Sequence, residues 1–308
     1  MPRAGNEGPV FQAQRVSVMR SSLFLALTLA LGGGVACIGS ADAQSVREVR
    51  KQMEASMTLS GVINIGRDGQ VEGFQLDHRD MVAADVARLV EGTVNSWRFE
   101  PVLVDGKAVR ARTDVRLRLL ADSLTGTTMQ VRVADANFGP VDEENSLSSD
   151  NVRALKMRPP VYPERAAAIR GQGEVTLLVK VGRDGKVADV VAERTNLTVV
   201  APERQMQMLR DVLAKASVST ARSWTFSIPT TGEYKDDEFW TVRVPVNYAF
   251  DSRSERYGRW SAYIPGPRQQ APWKTGEDEK ATGSDLLPEG GVYMVGRNDG
   301  PRLLTPLG

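Results

Sequence analysis

Residues that could do chemistry are few in this chain, and they form no recognisable catalytic or metal-binding pattern. The sequence holds one histidine and one cysteine, too few for the usual sets of metal ligands or redox pairs. His78 lies in a charged stretch before a predicted helix, and residues 236–238 (Asp-Asp-Glu) lie in a predicted turn. Gly171-Gln172-Gly173 follows a helix and precedes a strand, the reverse of the order in a phosphate-binding loop. We therefore expect no catalytic residue, no metal site and no cofactor, and we consider binding and structural functions instead.

The composition is typical of a water-soluble folded protein, with 41% apolar and 25% charged residues. The net charge of +1 gives no reason to expect binding to nucleic acid or to a charged membrane surface. The length is enough for about two domains.

The clearest structural pattern runs from Tyr162 to Val191. Pro163 suits the first turn of a short helix, and Gly171 ends it. From Val175 apolar residues alternate, which predicts a strand, and Gly182-Arg183-Asp184-Gly185 predicts a hairpin turn before a return strand.

The same pattern occurs earlier in the chain. Leu59–Val71 aligns with Val175–Val187 and carries an identical Gly-Arg-Asp-Gly turn. Each copy continues with a predicted helix, then an aromatic pair, Trp97/Phe99 or Trp224/Phe226, and then an apolar strand at the same spacing after the tryptophan. The order and spacing indicate an internal duplication. In the final strand of the first copy, Arg116 and Arg118 alternate with apolar residues, and we expect them to be solvent-exposed.

The N-terminal residues are typical of a secretory signal. Arg20 precedes a short apolar segment, and Ala41-Asp42-Ala43 matches a signal-peptidase site. The apolar segment, Leu23–Ala36, is shorter than the ~20 residues that span a bilayer. We expect cleavage before Gln44 and a periplasmic location. The alternatives are a retained inner-membrane anchor and lipidation at Cys37, although Cys37 lacks the expected leucine three residues earlier.

These patterns divide the chain into five segments. Residues 1–43 are a leader and signal peptide, 44–120 the first copy, 121–156 a polar linker, 157–250 the second copy, and 251–308 a Gly- and Pro-rich tail. We expect this tail to be largely disordered, with one candidate hairpin at Val292–Val295.

The second copy resembles the C-terminal domain of the TonB energy transducers. The resemblance rests on Pro160–Ala166, Gly171–Val175, Arg183–Gly185, Trp224–Phe226 and Val242–Val246, in that order. It covers roughly the whole copy, and the first copy looks like a degenerate version.

Membership in this family implies an α+β fold of two tandem domains, each a three-stranded antiparallel sheet packed with one or two helices. It also implies capture of a short peptide, the TonB box of a TonB-dependent outer-membrane receptor, by addition of a strand to a sheet edge. The candidate edge is the last strand, where proline at position 245 is compatible with an edge position. The predicted partner-binding residues are Tyr162, Pro163, Trp240, Val242, Val244, Val246 and Tyr248.

The chain departs from the energy transducers of this family, because it has a predicted cleavage site, no Pro-rich spacer and a duplicated domain. We therefore expect a periplasmic protein that binds a receptor or another periplasmic protein, with a homodimer possible. An anchored energy transducer and a scaffold without receptor contact remain open. If the edge at Trp240–Phe250 is covered by the chain itself, the scaffold is favoured; if it accepts peptide, Val244→Pro should weaken binding by removing a ladder donor.

Overall fold

Two antiparallel sheets, each begun by one of the predicted hairpins, organise the fold of this computed structural model. It describes residues 40–123, 129–139, 149–250, 257–273, 291–295 and 300–307. The elements of the first half of the chain are α1 (Ser40–Lys51), β1 (Glu54–Ile65), β2 (Val71–Leu76), α2 (Ala84–Asn95), β3 (Leu103–Val104), β4 (Lys107–Ala108), β5 (Ala111–Ser123) and β6 (Met129–Phe138). Those of the second half are β7 (Arg153–Lys156), α3 (Glu164–Ala168), β8 (Gly173–Gly182), β9 (Val187–Leu197), α4 (Glu203–Ala221), β10 (Thr225–Ser227), β11 (Phe239–Tyr248), β12 (Ser261–Tyr263) and β13 (Tyr293–Met294).

The two copies predicted from the sequence fold into units with the same strand order. In the first unit β1 lies between β2 and β5, and in the second unit β8 lies between β9 and β11, all antiparallel. α2 packs on the first sheet and α4 on the second. The predicted α+β class is therefore confirmed.

The turns of the two hairpins are also alike in detail. Gly69 and Gly185 have φ angles of 78° and 72°, a conformation that glycine adopts without strain. The amides of Phe99 and Phe226 donate to the carbonyls of these two glycines, each at 2.7 Å. Each turn is thus joined to the aromatic pair that follows its helix, which explains why both patterns recur together in the sequence.

Each unit has its own apolar core. In the first, Leu59, Ile63 and Leu117 face Val90 and Trp97, and all five are buried. In the second, the equivalent face of β8 meets the apolar stripe of α4, which includes Met206, Leu209 and Leu213. A buried aliphatic side chain contributes about 1.5–3 kcal/mol, so these stripes are the main stabilising feature of both units.

The predicted segment boundaries need correction, because the units share elements across them. Helix α1, assigned to the first copy, packs Val49 into the core of the second unit, and the Glu203 amide donates to Ser45 Oγ at 2.9 Å. The predicted linker, 121–156, supplies β6, which extends the first sheet beside β5. Long-range strand pairing of this kind has no local sequence signal.

The tail is also ordered in its described parts. β12 pairs with the start of β1, β13 pairs with β11, and Ile264 exchanges main-chain hydrogen bonds with Leu197 at the free edge of β9. Near the C-terminus, Leu303 bridges to Phe99. The expectation of a largely disordered tail is therefore wrong for these residues.

The prediction that Arg116 and Arg118 are solvent-exposed is wrong for Arg118. Its side chain is buried and donates a hydrogen bond to Tyr263 Oη, and Tyr263 Oη donates to Glu54 Oε2 at 2.5 Å. Tyr263 of the tail therefore covers Arg118.

The predicted signal segment lies almost wholly outside the described residues, which begin at residue 40. Among the described helices, none combines the length and apolar character needed to cross a membrane.

Candidate partner-binding edge of the second sheet

Strand β11 is the predicted binding strand, and its side chains alternate strictly between two environments. It pairs antiparallel with β8 over its full length, from Phe239 opposite Gly182 to Tyr248 opposite Gly173. Five of the predicted binding residues have side chains buried in the core of the second unit: Trp240, Val242, Val244, Val246 and Tyr248. These side chains are not available to a partner, so β11 can contribute only main-chain groups there.

The outward main-chain groups of β11 belong to the other residues of the alternation. The Val295 amide donates to the Thr241 carbonyl at 2.8 Å, so Thr241, Arg243 and Pro245 direct their main-chain groups away from β8. Pro245 therefore loses no hydrogen bond to β8, which explains how proline is tolerated in this strand.

The same alternation corrects the test suggested by the sequence. Val244 directs its amide toward β8, so Val244→Pro would break the existing sheet instead of the open edge. A proline at Thr241 would remove an outward amide and leave the pairing with β8 in place.

Part of this edge is already occupied by the tail. Val242 lies opposite Met294 and Arg243 opposite Tyr293. Met294 packs against the core, and its Sδ accepts a hydrogen bond from the Val152 amide at 3.4 Å. Burial raises the pKa of Tyr293 to about 12, against the opposing effect of the Arg116 charge. An edge covered by the chain itself favours a scaffold, and β13 covers this edge at Val242 and Arg243.

The face of the second sheet opposite α4 carries a buried ion cluster. Glu193 accepts hydrogen bonds from Arg243 at 2.8 and 3.0 Å and from Arg268 Nε at 3.1 Å. Burial alone would raise the pKa of Glu193, but the hydrogen bonds and charges of the two arginines outweigh it and hold that pKa below its usual range. Beside the cluster, Trp273 Nε1 donates to Thr241 Oγ1 at 3.2 Å. This hydrogen bond holds Trp273 of the tail next to the outward edge of β11.

Tyr162 and Pro163, the remaining predicted residues, lie at the C-terminal end of β11. Pro163 is the N-cap of α3, and its carbonyl accepts hydrogen bonds from two amides in the helix. Tyr162 Oη donates to the Gly171 carbonyl at 2.5 Å. Its ring stacks on Phe250 and meets Tyr248 edge-on, with centroid distances of 4.8 and 5.5 Å. Burial raises the pKa of Tyr162, and the nearby charge of Arg170 opposes the shift.

Apolar side chains are exposed around this aromatic cluster. Val161 is 86% exposed and Phe250 44%, and Arg170 lies over the Phe250 ring at 5.1 Å. The structure therefore places the predicted residues Tyr162 and Tyr248 in contact. Phe250 and Arg170 belong to the same cluster, although the sequence did not single them out. The residues with outward main-chain groups, Thr241 and Arg243, were also missed, although the position of Pro245 could have identified them.

The residues considered for chemistry are separate in the structure. His78 has a left-handed backbone conformation, and its ring meets Tyr257 edge-on at 5.3 Å. Asp236 ends a short 3-10 helix, Glu233–Asp236. Within the described residues, acidic, histidine and cysteine side chains form no cluster of three or more suited to a metal ion.

Comparison with known proteins supports the family resemblance. The chain is 34% identical over 104 residues to the Protein TonB of two strains of Xanthomonas campestris pv. campestris. The chain contains a TonB C-terminal-like domain. The matched region is 34% of this chain and 40% of each TonB relative. No family model matches the chain.

A solved TonB structure is also similar in sequence. The solution NMR structure of the Pseudomonas aeruginosa TonB CTD is 26% identical, and the match covers 36% of this chain and 94% of that one, with a TM-score of 0.19. That the first unit is a second, degenerate TonB C-terminal-like domain stays a prediction.

Proposed function

We propose that this chain is a non-catalytic TonB-family protein of the periplasm that binds an extended segment of a TonB-dependent outer-membrane receptor. The segment would add as a strand to the outward edge of β11. The observation that carries the proposal is that this edge already accepts an antiparallel strand, through Thr241 and Arg243. Its main-chain groups are therefore correctly placed for strand addition.

The surroundings of the edge support recognition of a peptide. Main-chain pairing gives affinity with little demand on sequence, and neighbouring side chains then provide selectivity. The exposed apolar residues Val161 and Phe250, with the half-buried Tyr162, lie at the C-terminal end of β11. A segment that continues past Pro245 would reach this aromatic cluster.

The periplasmic location rests on the sequence around Ala41-Asp42-Ala43 and Gln44. If the N-terminal segment is retained instead, the chain would be an anchored energy transducer with the same binding edge. Mass determination of the mature N-terminus in soluble and membrane fractions separates the two: a start at Gln44 in the soluble fraction supports the periplasmic form.

Binding can be tested on the full chain with a synthetic TonB-box peptide from a receptor of the same host. Thr241→Pro removes one outward amide, and we expect it to weaken binding about tenfold, the equivalent of one hydrogen bond. Thr241→Val keeps the amide and the side-chain shape, and serves as the matched control. Equal affinities for the two variants would count against strand addition at this edge.

A periplasmic scaffold is the second candidate function. It is favoured by the pairing of the chain's own strands with the edges of its sheets: β6 pairs with β5, and β13 pairs with β11. A scaffold would bind no receptor peptide in any form of the edge, and sedimentation would show whether it acts as a homodimer.

A further inference from the structure

We propose that residues 291–295 act as an intramolecular ligand of the β11 edge, which a partner segment must displace before it binds. We call this segment the self-strand; it contains β13. The inference rests on the proposed function, because it identifies how the same edge is regulated and what kind of segment it accepts.

The self-strand and a partner would compete for the same atoms. The self-strand lies beside Thr241 and Arg243, whose outward main-chain groups can both donate and accept, whereas Pro245 offers only its carbonyl. The self-strand pairs with Arg243 and donates from Val295 to the Thr241 carbonyl. A second strand cannot use these groups at the same time, so binding of the self-strand and of the partner is mutually exclusive.

The self-strand pairs with fewer residues of β11 than β6 pairs with in β5. There β6 pairs with β5 from Val115 to Ser123, whereas β13 pairs with Val242 and Arg243 alone. Every residue of the self-strand is also partly exposed. Segments with few buried contacts open at lower free energy than the rest of a fold. The equivalent edge of the first unit is thus paired from Val115 to Ser123, whereas the short pairing in the second unit makes its edge the more exchangeable one.

The self-strand also indicates the chemistry of the segment that replaces it. Val292 and Met294 pack against the core of the second unit, and Tyr293 between them lies near Arg116 of the first sheet. A partner segment in the same register would run antiparallel to β11. It would carry medium-sized apolar side chains at two alternating positions, with an aromatic or polar residue between them.

Thiol labelling tests whether the self-strand detaches. Met294→Cys is made in a Cys37→Ser background, since Cys37 is the single cysteine of the sequence. Its reference is Met206→Cys, at a fully buried position of α4. Because Met294 is partly exposed even while β13 is paired, we expect Met294→Cys to react at least about tenfold faster in native conditions, through this exposure together with local opening. Equal rates would overturn the proposal, because the self-strand would then open only with the whole unit.

A disulfide lock tests competition directly. Val242 and Met294 face each other as a non-hydrogen-bonded pair, a geometry suited to a cross-strand disulfide. The probe is a fluorescent synthetic peptide of residues 291–295. We expect this peptide to bind the reduced Val242→Cys/Met294→Cys chain more tightly than the oxidised chain, by about tenfold or more. We expect it to bind Met294→Asp, in which the self-strand is weakened, more tightly than the oxidised chain by the same factor.

Leu304→Asp is the matched control, because it places the same charge at an exposed tail position and should behave like wild type. Equal binding to locked and reduced chains, or no binding to Met294→Asp, would overturn the inference. The receptor peptide is then tested on Met294→Asp: if only the self-strand peptide binds, the proposed function fails while the intramolecular competition stands.

Discussion

Arg243 on β11 and Glu193 on β9 form a two-point ion pair across the intervening strand β8. Arg243 Nε lies 2.8 Å from Glu193 Oε2 and Arg243 Nη2 lies 3.0 Å from Oε1, and both side chains are 4% exposed. Arg268 of the tail adds a contact of 2.9 Å to the same carboxylate. One carboxylate therefore joins both outer strands of the three-stranded core sheet to the tail that covers them.

Removing the charge of Glu193 should be strongly destabilising. Glu193→Gln leaves the buried guanidinium of Arg243 without its counter-charge, and breaking a buried pair in this way costs about 3–5 kcal/mol. Chemical denaturation of the full chain measures the change. Asp189→Asn, at an exposed position of the same strand, should change stability by less than about 0.5 kcal/mol. A similar cost for both variants would show that the ion pair contributes little.

The same pair predicts a dependence of stability on acidity. The folded pKa of Glu193 lies below its ordinary value of 4.5, so the unfolded chain binds more protons between the two values. The stabilisation is therefore complete above about pH 4.5 and is lost as the pH falls through the folded pKa. In unfolding experiments between pH 7 and about pH 3, wild type should lose more stability than Glu193→Gln. Parallel curves for the two chains would contradict this assignment.

The two turn glycines should be intolerant of any side chain. A Cβ at Gly69 would lie 2.0 Å from the Phe99 carbonyl oxygen, and one at Gly185 would lie 2.3 Å from that of Phe226. Each alanine variant combines this clash with an unfavourable positive φ, and we expect a loss of more than about 2 kcal/mol. Gly106→Ala separates the two effects, since Gly106 has a φ of 72° and open space around its Cβ position. It should cost about 1 kcal/mol, and equal losses in thermal unfolding would exclude the clash as a cause.

Local patterns in the sequence predicted the hairpins and helices, because these depend on residues close together in the chain. Strand β6 was missed, since its pairing with β5 is set by tertiary contacts, and the partner of the predicted hairpin segment at Val292–Val295 was missed for the same reason. Arg118 shows the same limit: its alternation on β5 predicted solvent exposure, but Tyr263 lies far along the chain and buries it. The outward main-chain groups of β11 could have been predicted from Pro245. Its missing amide must lie away from the paired strand, so Thr241 and Arg243, at the same alternation, also direct their main-chain groups outward.

Tyr162 allows stability and binding to be separated at the aromatic cluster. Tyr162→Phe removes the hydrogen bond to the Gly171 carbonyl and retains the ring that stacks on Phe250. We expect a loss of about 1 kcal/mol in unfolding free energy and unchanged affinity for the receptor peptide. Tyr162→Ala also removes the ring and should weaken both. If Tyr162→Phe weakens peptide binding as much as Tyr162→Ala, the hydroxyl and not the ring would be the feature that the partner depends on.

Phe138 tests whether the segment expected to be a linker is part of the first core. Its ring meets Trp97 and Phe99 edge-on, with centroid distances of 5.8 and 5.0 Å, and it ends the strand that pairs with β5. Phe138→Ala removes both aromatic contacts, and we expect a loss of about 2–3 kcal/mol. Amide hydrogen exchange should show reduced protection in β1 and β5 and little change in β8, because each unit has a separate core. Leu103→Ala, at a position 62% exposed, is the control and should cost less than about 0.5 kcal/mol. If Phe138→Ala costs no more than this control, β6 is only an attached edge strand and the core of the first unit ends at β5.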